Sequence, residues 1–310
     1  MLDADGQYLF RKRQFHSVQN LIIALQNMRI TLELSHRKRT VTLPINNSHL
    51  ISSLIYNIVD KSSSDYAERL HEQGYRLQNR AFKLFTFSPL YPGNHHKWVM
   101  HENGTMSTAE ALLHVTVSSP KNEFIEHLVI GLLQEPLVLV GNQRFKVETV
   151  RKLDSPDLSD NMPFIMLSPL VCTTKRELEQ YPQYLFPGDS EFERVLLENL
   201  LRKYQVLHGR EFACTSEQFS FSIDHAYVER MNGKIQKLIT LKEGRSDETK
   251  IKGTLAPFRL QAPRELIEVG YECGFGEKNS QGFGMVKLDT THPTDDVKDG
   301  HPANREISDL

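Results

Sequence analysis

MRITLELSHRKRTVTLPINNSHLISSLIYNIVDK, residues 28–61, moves from a hydrophobic period of two to one near 3.6. In MRITLEL (28–34), Ile30, Leu32 and Leu34 share one face, the pattern of a strand with one side in a core. After Pro44, SHLISSLIYNIVDK (48–61) sets Leu50, Ile51, Leu54, Ile55, Ile58 and Val59 on one helical stripe. The stripe centres between Leu54 and Ile55. Tyr56 then falls about 150° away, on the face turned from the core.

Outward from this strand and helix the elements continue in order. Asp65 and Glu68 form an acidic capping box that starts a second short helix, with Gly74 as its stop. Strands are expected at FKLFTFSPL (82–90), around KWVMH (97–101) and at LLHVTVSS (112–119). A helix at KNEFIEHLVIGLLQE (121–135) and a strand pair over 137–152 follow. The order β-α-β-β-α-β is that of a ferredoxin-like domain. Past the linker PDLSDNMP (156–163) it repeats more loosely, with strands at FIMLSPLVC (164–172), FSFSID (219–224), KIQKLITLKEG (234–244) and KIKGTLAPFRLQA (250–262). Helices at 189–209 and 263–274 and a last strand at GMVKLD (284–289) complete the second set. The expected fold is α+β, two tandem ferredoxin-like domains over 28–155 and 164–289.

Residues 1–27 read as an N-terminal extension. RKRQFHSVQNLIIALQN (11–27) has the composition of an amphipathic helix but lacks the small-residue cleavage site of a signal peptide. At the other end, 290–310 read as a disordered acidic tail. From Asp289 onward six acids face only Lys298 and Arg305, about −4, against −2 for the whole chain. The remaining chain is therefore only slightly positive, and any nucleic-acid surface must be a local patch.

Composition excludes two classes. With 39% hydrophobic and 25% charged residues the chain is not broadly disordered, and it holds no apolar run of membrane-spanning length. Three cysteines, Cys172, Cys214 and Cys273, are too dispersed for a disulfide framework or a cysteine zinc site, and they fit a reducing cytoplasm. HHKW (95–98) and His101 resemble metal ligands but have no partner cysteine or carboxylate at ligand spacing. No metal and no cofactor are expected.

The densest anomaly is GYECGFGEKNSQGFG (270–284), which holds five of the 17 glycines. Such a stretch permits positive φ and close approach of backbone to a ligand, and its amides could form an anion nest. A tight helix-to-strand connection would explain it equally well. It is neither a P-loop nor a GxGxxG turn.

With GYECGFGEKNSQGFGMVKL (270–288) the chain closely resembles the C-terminal signature of the CRISPR-associated pre-crRNA endoribonucleases, which belong to the repeat-associated RNA-binding proteins. PINNSHLISSLIYNIV (44–59), RLHEQG (69–74), FKLFTFSPL (82–90), LVIGLLQEP (128–136) and FIMLSPLVC (164–172) are similar to that family's other landmarks, in collinear order over 28–288. The resemblance implies metal-independent cleavage of CRISPR repeat RNA in a precursor transcript. The 2′-hydroxyl attacks the adjacent phosphate and leaves a 2′,3′-cyclic phosphate and a 5′-hydroxyl. It also implies CRISPR repeat RNA and a CRISPR effector complex as partners, in a cytoplasmic monomer or homodimer. Carried over by motif, the catalytic residues are Tyr56 in LIYNI, His71 in RLHEQ and Lys83 in FKLFT. The RNA-binding residues are Gly270, Gly274, Gly276, Lys278, Asn279, Ser280, Gly282 and Gly284.

The residues support this only in part. An exposed Tyr56 is unremarkable by itself, and most histidines in a last helical turn are ordinary surface groups. His71 there can nevertheless act as base and then acid, and Lys83 can place charge beside a phosphorane. Lys234, Lys237, Lys242, Arg245, Lys250, Lys252, Arg259 and Arg264 make a basic cluster suited to phosphates, partly offset by Glu243, Asp247 and Glu248. The competing reading is a non-catalytic RNA-binding subunit of an effector complex.

Overall fold

A computed structural model describes residues 9–10, 28–93, 97–174 and 181–290. The N-terminal extension apart from a two-residue strand, the tail beyond 290, and His95 lie outside them.

The first half contains β1 (Met28–Ser35), β2 (Thr86–Phe87), β3 (Leu112–Ser119) and β4 (Gln143–Leu153). They lie side by side in the order β4-β1-β3-β2, all antiparallel, which is the ferredoxin-like arrangement. Helices α1 (Ser48–Ser62) and α3 (Asn122–Gln134) cover one face, with the short α2 (Ser64–Glu68) between them in sequence. Ile30, Leu32 and Leu34 pair with Val117, Val115 and Leu113, and all six are fully buried beneath the helices. At Gly131 the helices cross so closely that a Cβ would lie 1.9 Å from the Ile58 carbonyl oxygen.

The second half repeats the plan. β5 (Asn161–Met166), β6 (Ser220–Ile223), β7 (Phe258–Gln261) and β8 (Val286–Leu288) run in the order β6-β7-β5-β8. Their helices are α4 (Phe192–His208), ended by Gly209 in the left-handed region, and α6 (Arg264–Cys273); the short α5 (His225–Arg230) is an addition. Each sheet has its own apolar core, one around Phe85, Phe87 and Phe124, the other around Phe164, Phe192 and Phe275.

Several local expectations are corrected. FKLFTFSPL is not one strand: Arg80–Phe82 forms a hairpin with Tyr75–Leu77, and the chain joins β2 only at Thr86. The break serves packing, because Leu84 enters the second core and Phe85 the first; a φ of 53° at Leu84 turns the chain between them. KIKGTLAPFRLQA is two strands in different sheets. Thr249–Thr254 pairs with Gln236–Leu241 in a separate hairpin, and β7 lies in the main sheet. The short helix is capped by Ser63, whose Oγ accepts from the Tyr66 N–H at 3.2 Å, rather than by Asp65. Ser63 already leaves α1 in extended geometry, which is what an N-cap needs.

Candidate active site and nucleic-acid interface

Tyr56, on α1, lies on the face away from the α1 stripe, yet it is half-buried. The cover comes from the other half: the glycine-rich connection from α6 to β8 lies over α1, where Ser52 Oγ donates to the Ser280 carbonyl at 2.8 Å. The Tyr56 ring meets His71 edge-on at 5.1 Å and Phe85 at 5.7 Å between centroids. Burial pushes its hydroxyl up to about 12, with the Ser280 side chain pulling the other way. At neutral pH it is a hydrogen-bond donor.

His71 follows α2 in Arg69–Gln73, where the helix widens by one residue; the Gly74 N–H reaches the Arg69 carbonyl at 2.9 Å. Such wide turns often carry functional groups. Imidazole Nδ1 lies 2.8 Å from Glu72 Oε1. An ionised carboxylate only accepts, so Nδ1–H is the donor in this contact, and in the neutral imidazole Nε2 is then the nitrogen with the lone pair.

Lys83 sits just past the hairpin strand and donates through Nζ to the His71 carbonyl. Gly74, at φ 61°, makes this possible: a Cβ there would lie 2.6 Å from the Phe82 carbonyl oxygen and 3.0 Å from Lys83 Cδ. Burial lowers the Lys83 pKa, opposed by Glu72.

These three side chains line one cavity of about 480 Å³ with His49, Ser52, Lys242, Arg245, Ser280 and Gln281. Lys242 and Arg245 arrive on the turn of the Gln236–Thr254 hairpin. Lys242 pairs with Asp247, whereas no hydrogen bond or ion pair to the Arg245 guanidinium is seen among the described residues. The His49 pKa is lowered, by burial first and then by Arg245. Helical periodicity in 48–61 gave no reason to single out His49, because its neighbour Arg245 is nearly two hundred residues away. Among the described residues no three His, Cys, Asp or Glu side chains gather as a metal site. No helix there is long and apolar enough to cross a membrane.

The glycine-rich connection is packed from within. Gly270, Gly274, Gly276, Gly282 and Gly284 are all buried. A Cβ would meet the Phe275 ring at 2.2 Å from Gly270, the Val171 carbonyl oxygen at 2.3 Å from Gly276, and the Phe275 carbonyl oxygen at 1.9 Å from Gly284. The amides of residues 275, 277, 281, 282 and 284 already donate to protein carbonyls, so these five match the tight connection, rather than the open nest, of the two readings that the sequence allowed. Buried Lys203 of α4 donates to the Gly274 and Gly276 carbonyls and to Asn279 Oδ1, at 2.6, 2.7 and 2.7 Å. Asn279 Nδ2 in turn holds the Phe275 and Phe283 carbonyls. The exposed residues of this segment are Lys278 and Gln281, with Glu277, Asn279 and Ser280 half-buried beside them. Ser280 and Gln281 border the Tyr56–His71–Lys83 cavity, and together with Lys278 they border a second one of about 520 Å³ that also touches Arg80, Lys83 and Thr173.

The relatives agree with this architecture. Residues 42–151 match the family described as CRISPR-associated protein Cas6, N-terminal, and 153–288 match CRISPR associated protein Cas6, C-terminal. The chain is 34% identical over 263 residues to a CRISPR-associated endoribonuclease Cas6 of Methanocaldococcus jannaschii, covering 84% of this chain and 92% of that one. It is 28% identical over 266 residues to one of Pyrococcus furiosus, covering 85% and 90%. A solved CRISPR associated protein Cas6 superposes with a TM-score of 0.64 at 31% identity, over 84% of this chain and 99% of that one. The 4-1-3-2 strand order in both halves, the glycine-rich bridge between them and these matches together place the chain in the CRISPR-associated Cas6 family.

Proposed function

We propose that this protein is an endoribonuclease that cuts CRISPR repeat RNA in a precursor transcript and produces mature crRNAs without a metal ion. The observation that carries the reading is the meeting of Tyr56, His71 and Lys83, from three separate segments, in one cationic cavity. His71 Nε2 takes the proton of the 2′-hydroxyl as that oxygen attacks the neighbouring phosphorus. The imidazolium returns a proton to the departing 5′-oxygen, leaving a 2′,3′-cyclic phosphate and a 5′-hydroxyl. Glu72 holds the tautomer that this needs. The protonated Tyr56 hydroxyl donates to a phosphoryl oxygen, and the Lys83 ammonium and Arg245 guanidinium offset the charge that builds on the phosphorane.

The two ferredoxin-like halves, 28–155 and 164–289, act as domains that share the RNA. Lys278, Ser280 and Gln281 touch it directly, while the five glycines and Asn279 shape the segment that presents them. A CRISPR effector complex in the cytoplasm receives the product. The test is cleavage of the cognate repeat in EDTA with both product ends mapped. Cyclic phosphate and 5′-hydroxyl ends, lost on 2′-deoxy substitution upstream of the cut, are expected. Activity that needs added divalent metal refutes the mechanism, and RNA bound but uncut under every condition means a non-catalytic RNA-binding subunit.

A further inference from the structure

An apolar cavity of about 240 Å³ lies next to the proposed cleavage cavity. Its walls include Phe87, Leu90, Trp98, Met100, Met106 and Phe283. The two cavities share three elements at consecutive or alternate positions. On α1, Ser48 lines the apolar cavity and His49 the cleavage cavity; on the glycine-rich connection the pair is Gly282 and Gln281; on the hairpin strand it is Ile239 and Leu241. An RNA strand with its scissile phosphate beside His71 therefore has this apolar recess within reach of a neighbouring nucleotide.

The recess suits an aromatic, uncharged guest. It is large enough to hold one nucleobase. Its rim residues Ile45 and Met100 are 41% and 60% exposed, a contiguous apolar surface bordering a cationic site. Most of its polar side chains are already engaged. Trp98 Nε1 donates to the Leu90 carbonyl at 3.1 Å, which fixes the indole. Asn46 Oδ1 accepts from the Thr240 N–H, and its Nδ2 donates to Glu243 Oε2. Asn47 Nδ2 donates to the Pro44 carbonyl. The one buried side-chain polar atom of the lining without a hydrogen-bond partner among the described residues is Ser48 Oγ, and a hydroxyl can either donate or accept, so recognition there rests mainly on stacking and shape, which every base can satisfy.

We propose that this recess is a base-binding subsite: it takes the unstacked nucleobase of a nucleotide adjoining the scissile phosphate, whatever its identity. The inference rests on the cleavage reading above for the place of the phosphate. Pulling one flanking base out of the RNA stack would also turn the sugar-phosphate backbone toward the in-line geometry that 2′-hydroxyl attack requires.

Trp98 is the only tryptophan in the chain, so its emission reports on the subsite directly. Repeat RNA made uncleavable by a 2′-deoxy upstream of the cut should quench it. A single abasic nucleotide walked along the repeat should abolish the quench at one position next to the cut and weaken binding there roughly tenfold. Replacing that base with any other should preserve both. Met100→Asp, at an exposed rim position that leaves the fold intact, should weaken binding of the parent RNA similarly and that of the abasic RNA little further. Cleavage of unmodified repeat is assayed in parallel, so binding without cutting counts against the catalytic reading while the abasic walk still judges the subsite. If no abasic position alters Trp98 emission or affinity, the proposal is overturned. It is equally overturned if emission depends on protein concentration without RNA and Met100→Asp converts a sedimenting dimer to monomer, for then a second copy covers this face.

Discussion

In the proposed mechanism the decisive single side chain is His71. Its substitution by Ala should slow single-turnover cleavage roughly 10²–10⁴-fold, the usual contribution of general acid–base catalysis, with repeat affinity nearly unchanged. Tyr56→Phe keeps the ring that packs on His71 and Phe85 and loses only the hydroxyl, so a smaller loss is expected. Lys83→Ala should fall between them, since it removes both the charge and the tether to the His71 carbonyl. His101, which bonds Ser107 in an outlying hairpin, is the appropriate unaffected control. His49 is not, because it lines the same cavity as His71. The equal loss of rate in His71→Ala and in His101→Ala would remove the assignment.

At the scale of elements, the glycine-rich connection behaves as a folded part held by α4. Gly276 has φ 68°, and a Cβ would meet the Val171 carbonyl, so Gly276→Ala should lower stability by at least about 2 kcal/mol in urea titration. A fully stable Gly276→Ala protein would contradict this packing. Lys203→Met strands three acceptors and should cost about 2–4 kcal/mol. Lys203 also predicts a pH dependence. Burial brings its pKa down to about 8, below that of the unfolded chain near 10.4. Between those values the unfolded chain holds more protons, so this group's contribution to stability rises with pH there. The stability difference between parent and Lys203→Met should therefore grow from pH 8 to pH 10; a flat difference would show that the ammonium is not strained by burial.

Across the whole molecule the site depends on how the halves meet. Arg29, buried on the far face of β1, donates to the Val286 carbonyl and, at 2.6 Å, to the Tyr271 carbonyl. Its guanidinium lies 3.7 Å over the Tyr271 ring, and burial brings its pKa to about 10. Thr86 Oγ1 reaches the Phe283 carbonyl at 3.1 Å across the same contact. Arg29→Met removes the donors and leaves buried carbonyls unpaired. A loss of about 2–4 kcal/mol and a splitting of the single unfolding transition into two are expected by calorimetry. Cleavage should fall as well, because Ser280 and Gln281 would no longer roof the Tyr56 cavity. One undisturbed transition with full activity would mean that the halves are held by other contacts.

Local pattern determined most of the scaffold. The alternation in 28–34, the apolar stripe of 48–61 and the repeated β-α-β-β-α-β order follow from which side chains each element must bury, and burial is written in short-range periodicity. The resemblance at 270–288 pointed to the family for the same reason, since those glycines answer to a tight local packing. Tertiary structure alone decided the rest. Tyr56 points away from the apolar stripe of its own helix, and it becomes half-buried because His71 and Phe85 pack on its ring and a segment more than two hundred residues away lies over it. Lys83 leaves the strand expected for it because Leu84 and Phe85 belong to different cores. His49 and Trp98 carry no local signal and Arg245 is only one of a run of basic residues in sequence, yet they line two neighbouring cavities because the two halves bring distant surfaces together. Contacts between surfaces have no period along the chain, and so they could be read only once the chain was folded.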